Sequence, residues 1–404
     1  MKQIWEVKKL GEICTLHTGG TPSRSRPEYF LDGKIKWLVS GDVHQREIFD
    51  CEGRISNEGM DNSNARYLPV NSVIIALNGQ GKTRGTVALL RTEATCNQSV
   101  VAIAPKSNNL VIPEYIYCNL YGRYEEIRKI TGDSGNDRRG LNMPLLREIQ
   151  IPLPPVWEQK RIVAILNEFF GAIDKAKANA EQNLKNTKEL FESYLQVAFE
   201  KQGKNWKVTP LREITSLLGD GLHGTPKYTQ DGEYYFVNGN NLKNGVIEYK
   251  ESTKRVSVEE YKKYKKNLTD RTILVSINGT LGNVAFYNDE KIILGKSACY
   301  FNLIEGVNKK FIKHLISSSY FLNYAHKEAT GATIKNLSLK SMRDFKIPLP
   351  SLSEQDYVVA KLDAIEANTN SLRSIYLKKI VELDNLRISI LQKAFSGELK
   401  GAPQ

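Results

Sequence analysis

The sequence predicts an α+β protein with an internal repeat, in which two mixed α+β domains are each followed by one long helix. Three observations lead to this prediction. Five sequence blocks recur in the same order in the two halves of the 404-residue chain, which indicates a duplication. Two proline-free segments carry apolar residues at helical spacing, and the segments before them alternate short β-rich runs with Gly, Asn and Asp turns.

The repeated blocks define the two halves of the chain. Each block in the first half has a partner about 200 residues later, and the order of the blocks is kept. The matched pairs are residues 5–13 (WEVKKLGEI) with 206–214 (WKVTPLREI), 20–22 with 224–226 (both GTP), 72–79 (SVIIALNG) with 272–279 (TILVSING), 151–159 (IPLPPVWEQ) with 347–355 (IPLPSLSEQ), and 195–199 (LQVAF) with 391–395 (LQKAF).

The two long helices are predicted from one narrow apolar seam each. In the first, apolar side chains recur at alternating steps of three and four from Ile162 to Ala198, and the predicted seam includes Phe169 and Tyr194. The second repeats the pattern from residue 358 to residue 394, with a stutter at the matching place. About 44 residues at 1.5 Å rise correspond to roughly 66 Å. Two such seams in one chain predict that the helices pair with each other.

The segments before the helices are predicted to be compact α+β domains. Strands are expected at 73–77, 86–90 and 99–104 and again at 273–277, 284–287 and 299–303, with a helix over 113–130 and over 308–330. The predicted organisation is therefore a first domain over 1–155, a helix over 156–203, a second domain over 204–350 and a helix over 351–404.

The positive charge of the chain lies in the two predicted domains. Residues 1–155 hold 20 Lys and Arg against 17 Asp and Glu, and residues 204–350 hold 23 against 14, whereas each helix segment holds 7 against 7. Basic domains favour a polyanionic partner such as nucleic acid. Neutral helices favour packing against each other or against a protein partner.

Composition excludes several classes of protein. No apolar run approaches the roughly 18 residues of a membrane span, so no membrane association is expected. The five cysteines are scattered without CxxC spacing and the five histidines lack metal-ligand spacing, so we expect reduced thiols, no bound metal and a cytoplasmic location.

The chain resembles the specificity subunit of Type I restriction–modification systems along essentially its whole length. The resemblance rests on residues 19–43 (GGTPSRSRPEYFLDGKIKWLVSGDV), 79–90 (GQGKTRGTVALL), 96–103 (CNQSVVAI) and, most specifically, 151–166 (IPLPPVWEQKRIVAIL) with its repeat at 347–362 (IPLPSLSEQDYVVAKL). It implies two target-recognition domains alternating with two conserved helices that form an antiparallel coiled coil. Each domain would read one half of a bipartite double-stranded DNA target.

The resemblance also implies partners. Two copies of a separate methyltransferase subunit would dock on the helices and supply the S-adenosylmethionine chemistry, and a translocating nuclease subunit can join the complex. The NPP[FY] or DPPY signature of amino-methyltransferases is absent from this sequence. The chain itself is therefore expected to be non-catalytic and to hold no cofactor. Because the two domains match only at framework positions, an asymmetric target is expected, with its gap set by the helix pair as a ruler.

Two short motifs suggest enzymatic alternatives. Residues 76–83 (ALNGQGKT) fit a relaxed Walker A pattern, but a phosphate-binding loop needs a helix next and residues 86–90 are strand-like. Residues 132–135 (GDSG) are similar to a serine-protease nucleophile loop, but the repeat partner lacks Asp and Ser and nothing supplies a base. A protein–protein scaffold that binds an acidic partner and a phosphate-chemistry enzyme remain the rival functions.

The candidate DNA-contacting residues are polar side chains on the predicted turns. Arg and Asn or Gln commonly read guanine and adenine, while Lys mostly contacts phosphate. The basic, tyrosine-containing segment 261–266 (YKKYKK) is a further candidate for phosphate contact. In the first domain the candidates are Thr21, Ser23, Arg24, Arg26, Lys82, Thr83, Arg84, Asn97, Gln98, Ser99, Arg138 and Arg139. In the second they are His223, Thr225, Lys227, Asn238, Asn240, Asn241, Lys243, Asn278, Thr280, Asn283, Lys296, Ser297, Lys335 and Asn336.

Overall fold

The computed structural model describes residues 5–79, 81–130, 140–201 and 206–398. The chain divides into two compact units. Unit 1 comprises residues 1–179 and 379–404, and unit 2 comprises residues 180–378. Each unit thus holds one globular domain, the first part of the helix that follows it and the last part of the other long helix. No helix in the described ranges is long and apolar enough to cross a membrane.

The globular part of unit 1 is a mixed α+β domain. The elements are β1 Glu6–Lys9, α1 Leu10–Ile13, β2 Cys14–Thr18, β3 Ile35–Leu38, β4 Glu47–Ile48, β5 Arg54–Ile55, α2 Asn57–Asp61, β6 Val73–Ala76, β7 Val87–Leu90, β8 Thr95–Cys96, β9 Val100–Pro105, α3 Pro113–Gly122, α4 Tyr124–Lys129, α5 Met143–Arg147 and β10 Gln150–Leu153. The main sheet has the strand order β2-β9-β6-β7-β4. One face of its central strands packs on helices, and the other face packs on a second apolar cluster that includes Leu38 and Leu68.

The globular part of unit 2 repeats this plan. The elements are β11 Lys207–Pro210, β12 Thr215–Asp220, β13 Tyr228–Thr229, β14 Tyr234–Val237, β15 Leu242–Lys243, β16 Val246–Ile247, β17 Arg255–Val256, α7 Val258–Tyr264, β18 Thr272–Ser276, β19 Val284–Phe286, β20 Ile292–Leu294, β21 Ala298–Leu303, α8 Lys309–Ser317, α9 Ser319–Glu328, α10 Leu339–Asp344 and β22 Lys346–Leu349. The main sheet has the order β12-β21-β18-β19, and a smaller sheet has the order β13-β17-β14-β20.

Both long helices are present. The first, α6, spans Val156–Gln196 and continues through a π turn over Val197–Lys201, and the second, α11, spans Leu352–Phe395. The helix predicted over 113–130 is instead two helices that meet at Arg123. The helix predicted over 308–330 is likewise broken, because Ser318 has an extended backbone (ψ 159°).

The two long helices pair antiparallel within unit 1. Near its start, α6 shares a hydrophobic core with Leu391 and Ala394, which lie near the end of α11. Farther along, Asp174 binds Arg387, and the Lys177 ammonium lies 2.8 Å from the Asp384 carboxylate. Residue numbers on α11 therefore decrease along the contact as those on α6 increase, so the two helices run antiparallel.

The same arrangement recurs in unit 2. Leu195, Ala198 and Phe199 from the end of α6 share a core with Val358 and Leu362 from the start of α11. In unit 2 by itself, the end of α6 and the start of α11 therefore pack into the same domain core.

The apolar seam differs in detail from the predicted one. Phe169 and Tyr194 are both 46% exposed, whereas Phe170 and Leu195 are buried. At each place the seam therefore steps by four and then by three (166–170–173 and 191–195–198), instead of by three and then by four, because those positions face the core of the adjoining domain as well as α11.

Candidate nucleic-acid interface

The predicted contact residues of unit 1 that the structure describes lie on loops at one edge of its main sheet. The strands β2 and β6 end at Thr18 and Ala76, and the strands β7 and β9 begin at Val87 and Val100. Since these neighbours are antiparallel, all four ends lie at the same edge. We call the loops 19–26, 77–79 with 81–86, and 97–99 the first reading edge.

Hydrogen bonds join the loops of the first reading edge. The Thr21 hydroxyl donates to the Gln98 side-chain oxygen at 2.7 Å, and the Ser99 carbonyl accepts from the Leu77 amide at 2.8 Å. The Thr83 hydroxyl lies 3.0 Å from His44 Nε2. The sheet and these hydrogen bonds thus hold the loops together at one edge of the domain.

Exposure and contacts divide the candidates of unit 1. Asn97 Oδ1 accepts from the Ser99 amide at 2.9 Å and from the Ser99 hydroxyl, so both side chains shape their loop. Arg26 lies 3.3 Å from Glu28. The exposed candidates are Ser23, Arg24, Arg26, Lys82 and Gln98, and the half-buried ones are Thr21, Thr83, Arg84, Asn97 and Ser99. Arg138, Arg139 and the 132–135 motif lie outside the described residues.

The Walker-like segment is a turn between two strands. Residues after it form β7, not a helix, so the helix N-terminus that would bind phosphate is missing from this part of the described chain. The turn uses Gly79 and Gly81 at φ values of 133° and 67°, which side chains rarely adopt. The glycines therefore serve backbone geometry, as a tight turn between strands requires.

Unit 2 repeats the arrangement with different side chains. The strands β12 and β18 end at Asp220 and Ser276, and β19 and β21 begin at Val284 and Ala298. These ends again share one edge of an antiparallel sheet. We call the loops 221–227, 277–283 and 295–297 the second reading edge.

Two further segments join the second reading edge. Asn278 Nδ2 donates to Asn336 Oδ1 at 3.1 Å. The Ser297 hydroxyl donates to Asn238 Oδ1 at 3.0 Å and accepts from the Gly239 amide at 2.9 Å. The exposed candidates here are His223, Thr225, Lys227, Asn240, Thr280, Lys296, Lys335 and Asn336, and the half-buried ones are Asn238, Asn278, Asn283 and Ser297.

Two candidates of unit 2 stand apart from the reading edge. Asn241 is 4% exposed, and its side chain accepts from the Asn238 amide and donates to the Glu248 carbonyl at 3.0 Å. Asn241 therefore holds its own loop. Lys243 is exposed on the β15–β16 hairpin and lies 3.2 Å from Glu248.

The basic, tyrosine-containing segment forms the helix α7 and the residues after it. The Ser257 hydroxyl caps the helix, and Tyr261 stacks on Tyr234 with ring centroids 4.0 Å apart. The Lys263 ammonium lies 4.8 Å from the Tyr264 ring. One tyrosine thus fixes the helix to β14, which leaves the lysines of α7 on its exposed side.

Two glutamines that the sequence analysis did not single out anchor the long helices. Gln159 is fully buried, accepts from the Ile112 amide at 3.0 Å and donates to the Leu110 and Pro154 carbonyls. Gln355 does the same with Asn308, Gly306 and Pro350. The signal was present in the sequence, because both repeats of the IPLP block end in Glu-Gln.

A partly buried network of charged and polar side chains in unit 2 attaches α8 to α11. His314 Nε2 lies 2.7 Å from Asp363 Oδ1, and Asp363 also binds Lys310 at 2.7 Å. Lys313 binds Glu366 at 2.6 Å. The ligand atoms of His314, Asp363 and Glu366 lie within 4.8 Å of one another, but both carboxylates already bind ammonium groups. The cluster therefore serves as a domain-to-helix tether.

The pKa of His314 follows from this surrounding. Burial and the neighbouring Lys313 ammonium lower the pKa of His314, outweighing the hydrogen bond that the imidazole donates to the Asp363 carboxylate. His314 is therefore neutral near pH 7.

The five cysteine thiols are also buried. Burial raises the pKa of Cys14, Cys96 and Cys118 to about 12, so these thiols stay protonated near pH 7.

Comparison with known proteins identifies the family of this chain. The family model described as "Type I restriction modification DNA specificity domain" matches residues 2–185 and 203–382. The chain is 25% identical to the Type I restriction enzyme MjaIX specificity subunit of Methanocaldococcus jannaschii, over 98% of this chain and 94% of that protein. It is 29% identical to the EcoR124I/EcoR124II specificity subunit of Escherichia coli over 195 residues, about half (48%) of each chain.

Solved structures show the same fold. The chain superposes on a protein from a study of the assembly and conformational transition of the type I R-M system with a TM-score of 0.77, 19% identity and 98% coverage of both chains. It superposes on the HsdS subunit of Thermoanaerobacter tengcongensis with a TM-score of 0.63 and 19% identity, covering 98% of this chain and 97% of that one. With two matches of the family model that together span most of its length, this chain belongs to the Type I restriction–modification DNA specificity family.

Proposed function

We propose that this chain reads a bipartite, asymmetric double-stranded DNA sequence, one half-site per unit, and directs methyltransferase subunits to it. The observation that carries the proposal is the pair of reading edges. The same four strand ends present loops in each unit, yet the exposed side chains differ: Arg24 and Gln98 in the first, Asn240 and Lys296 in the second. The two units have the same strand framework but different polar side chains on their loops, as two different half-sites would require.

The chemistry of both edges suits duplex DNA. Arg and Gln can bond the major-groove edges of guanine and adenine, and Asn can do the same for adenine. Residues 204–350 carry 23 Lys and Arg against 14 Asp and Glu, and this excess favours phosphate contact. An acidic protein partner would match the charge equally well, but only base edges would also use the exposed amides Gln98 and Asn240 as paired donors and acceptors.

The long helices suit protein partners. They expose large apolar side chains, among them Leu190 on α6 and Ile375 and Val381 on α11, at 46%, 55% and 59% exposure. Exposed apolar residues on neutral helices favour docking of other subunits. The relatives carry the name of restriction-enzyme specificity subunits, and we propose the matching partners here: two methyltransferase subunits, joined in the complete system by restriction subunits, in the cytoplasm.

The test is to map modified bases in DNA after incubation with the reconstituted methyltransferase complex and S-adenosylmethionine. We expect one bipartite asymmetric motif with a fixed gap, and no methyl transfer by this chain alone. A complex that methylates the same sites without the chain would support the scaffold alternative. Methylation by the isolated chain would contradict its non-catalytic role, and ATP hydrolysis lost in Lys82→Ala would support the phosphate-chemistry alternative.

A further inference from the structure

The first domain touches its long helix through the side chain of Arg46. The residue directly precedes β4, and its carbonyl accepts from the Leu89 amide at 3.0 Å, which fixes its backbone to the main sheet. Its guanidinium extends to the long helix α6, where it donates to Asn167 Oδ1 at 2.6 Å. The same group lies 5.7 Å from the ring centroid of Phe170, one turn farther along α6.

The Phe170 ring makes a second cation–π contact, with an arginine on the other long helix. The guanidinium of Arg387 on α11 lies 5.1 Å from the ring centroid, and it also binds Asp174 on α6 and the Tyr121 hydroxyl on α3. The domain, α6 and α11 therefore meet at one aromatic ring flanked by two arginines. A planar guanidinium that both stacks and donates hydrogen bonds constrains orientation as well as distance.

Unit 2 lacks this contact at the equivalent position. Its matching backbone bond runs from the Phe286 amide to the carbonyl of Gly245, a residue with no side chain and a φ of 89°. Counting from the matched glutamines Gln159 and Gln355, the counterparts of Asn167 and Phe170 are Asp363 and Glu366, which bind Lys310 and Lys313 instead. A cleft of about 1140 Å³, lined in part by Gly245 and Glu366, lies where the arginine contact would be.

We propose that Arg46 is a positioning residue that sets the angle of the first recognition domain on its helices, a role that the tether from α8 performs in unit 2. Arg46 itself is exposed, so its contacts add little to stability while still selecting one orientation. Orientation matters because both half-sites must be read at once. The proposal rests on the proposed function, since it predicts an effect on the accepted gap between half-sites.

The test compares methylation by the reconstituted complex on DNA carrying the parent gap with DNA whose gap is one base pair longer or shorter. We expect Arg46→Ala to keep the bases of both half-sites and the melting temperature, and to lower the preference for the parent gap about two- to fivefold, as loss of one exposed cation–π contact implies. Arg46→Lys should restore part of the preference. Arg54→Ala is the matched control, because Arg54 binds Asp50 within the same domain.

Three outcomes would overturn the proposal. Gap preference unchanged in Arg46→Ala would show that the contact does not set orientation. An equal loss of methylation at every gap, with a weaker salt dependence of DNA binding, would show that Arg46 contacts phosphate directly. An equal loss of gap preference in Arg54→Ala would assign the effect to domain stability. Failure of the proposed function looks different, because then the parent complex itself shows no bipartite motif.

Discussion

The side-chain oxygen of Gln159 accepts the backbone amide of Ile112 at 3.0 Å, at the fully buried junction between the first domain and its helix. Replacing Gln159 with Leu leaves this amide and two carbonyls without their partner, at about 1–3 kcal/mol for each buried group that stays unpaired. We expect Gln159→Leu to lower the free energy of unfolding by at least about 3 kcal/mol in urea titrations.

The control for this prediction is Gln182→Leu on the same helix. Gln182 is exposed and bonds only Asn186 within the helix, at 2.8 Å. A substitution there should change stability by less than about 0.5 kcal/mol. Similar effects of the two substitutions would mean that the junction does not depend on the buried amide.

Acid should weaken unit 2 through His314. Its lowered pKa means that the unfolded chain binds a proton as pH falls through the ordinary value of 6.5, whereas the folded chain does so only at lower pH. Stability is therefore lost progressively below pH 6.5. Asp363 does not contribute in this window: burial raises its pKa, but the bonds from Lys310 and His314 lower it below 3.8 overall.

The measurement is the urea midpoint of the parent protein and of His314→Gln between about pH 7.5 and pH 5. Gln can still donate to Asp363 but does not titrate. We expect a smaller fall in the variant than in the parent protein. Equal slopes in the two proteins would show that His314 is not the group responsible.

Two amide side chains, Gln98 and Asn241, should respond in opposite ways. Gln98 is exposed at the first reading edge, so Gln98→Ala should relax one base position at a cost of about 1–3 kcal/mol in specific binding and leave folding intact. Asn241 is buried and holds its loop, so Asn241→Ala should lower stability without changing which bases are read. Motif mapping and thermal unfolding of both variants check the pair. A new base preference in Asn241→Ala would mean that this residue reads DNA.

The repeat, both long helices and the central strands of each domain could be predicted from the sequence, because apolar residues recur in it at the spacing of buried helix and strand positions. Helical spacing alone could not show whether Phe169 or Phe170 faces the seam. The adjoining domain buries a second face of the helix, and this contact decides in favour of Phe170. Among site residues, turn chemistry predicted the loops, but not that the Asn241 side chain bonds the backbone of Asn238 and Glu248. Arg46 was missed because its partners lie more than 120 residues away in sequence.

Lengthening the helix pair should lengthen the gap in the target. We predict that the helices act as a ruler, since each residue adds 1.5 Å of rise. Four residues inserted in each helix, after Asn179 and after Lys378, add about 6 Å and keep the seam nearly in phase. Motif mapping should then show a longer gap with the same bases at both ends.

Two-residue insertions at the same places are the matched control for the ruler. They rotate the seam by roughly 200°, so they should prevent helix pairing and assembly. Full activity with two extra residues would mean that pairing does not depend on the seam. An active four-residue variant with the parent gap would mean that the helices do not set the spacing.

The central claim is that each unit reads its own half-site. The most direct measurement is the methylated motif of a chain whose residues 1–155 are replaced by the first domain of another family member with a known target. We predict that one half of the motif changes to that of the donor, while the other half stays the same and the gap is kept. A motif that changes in both halves, or in neither, would contradict the account.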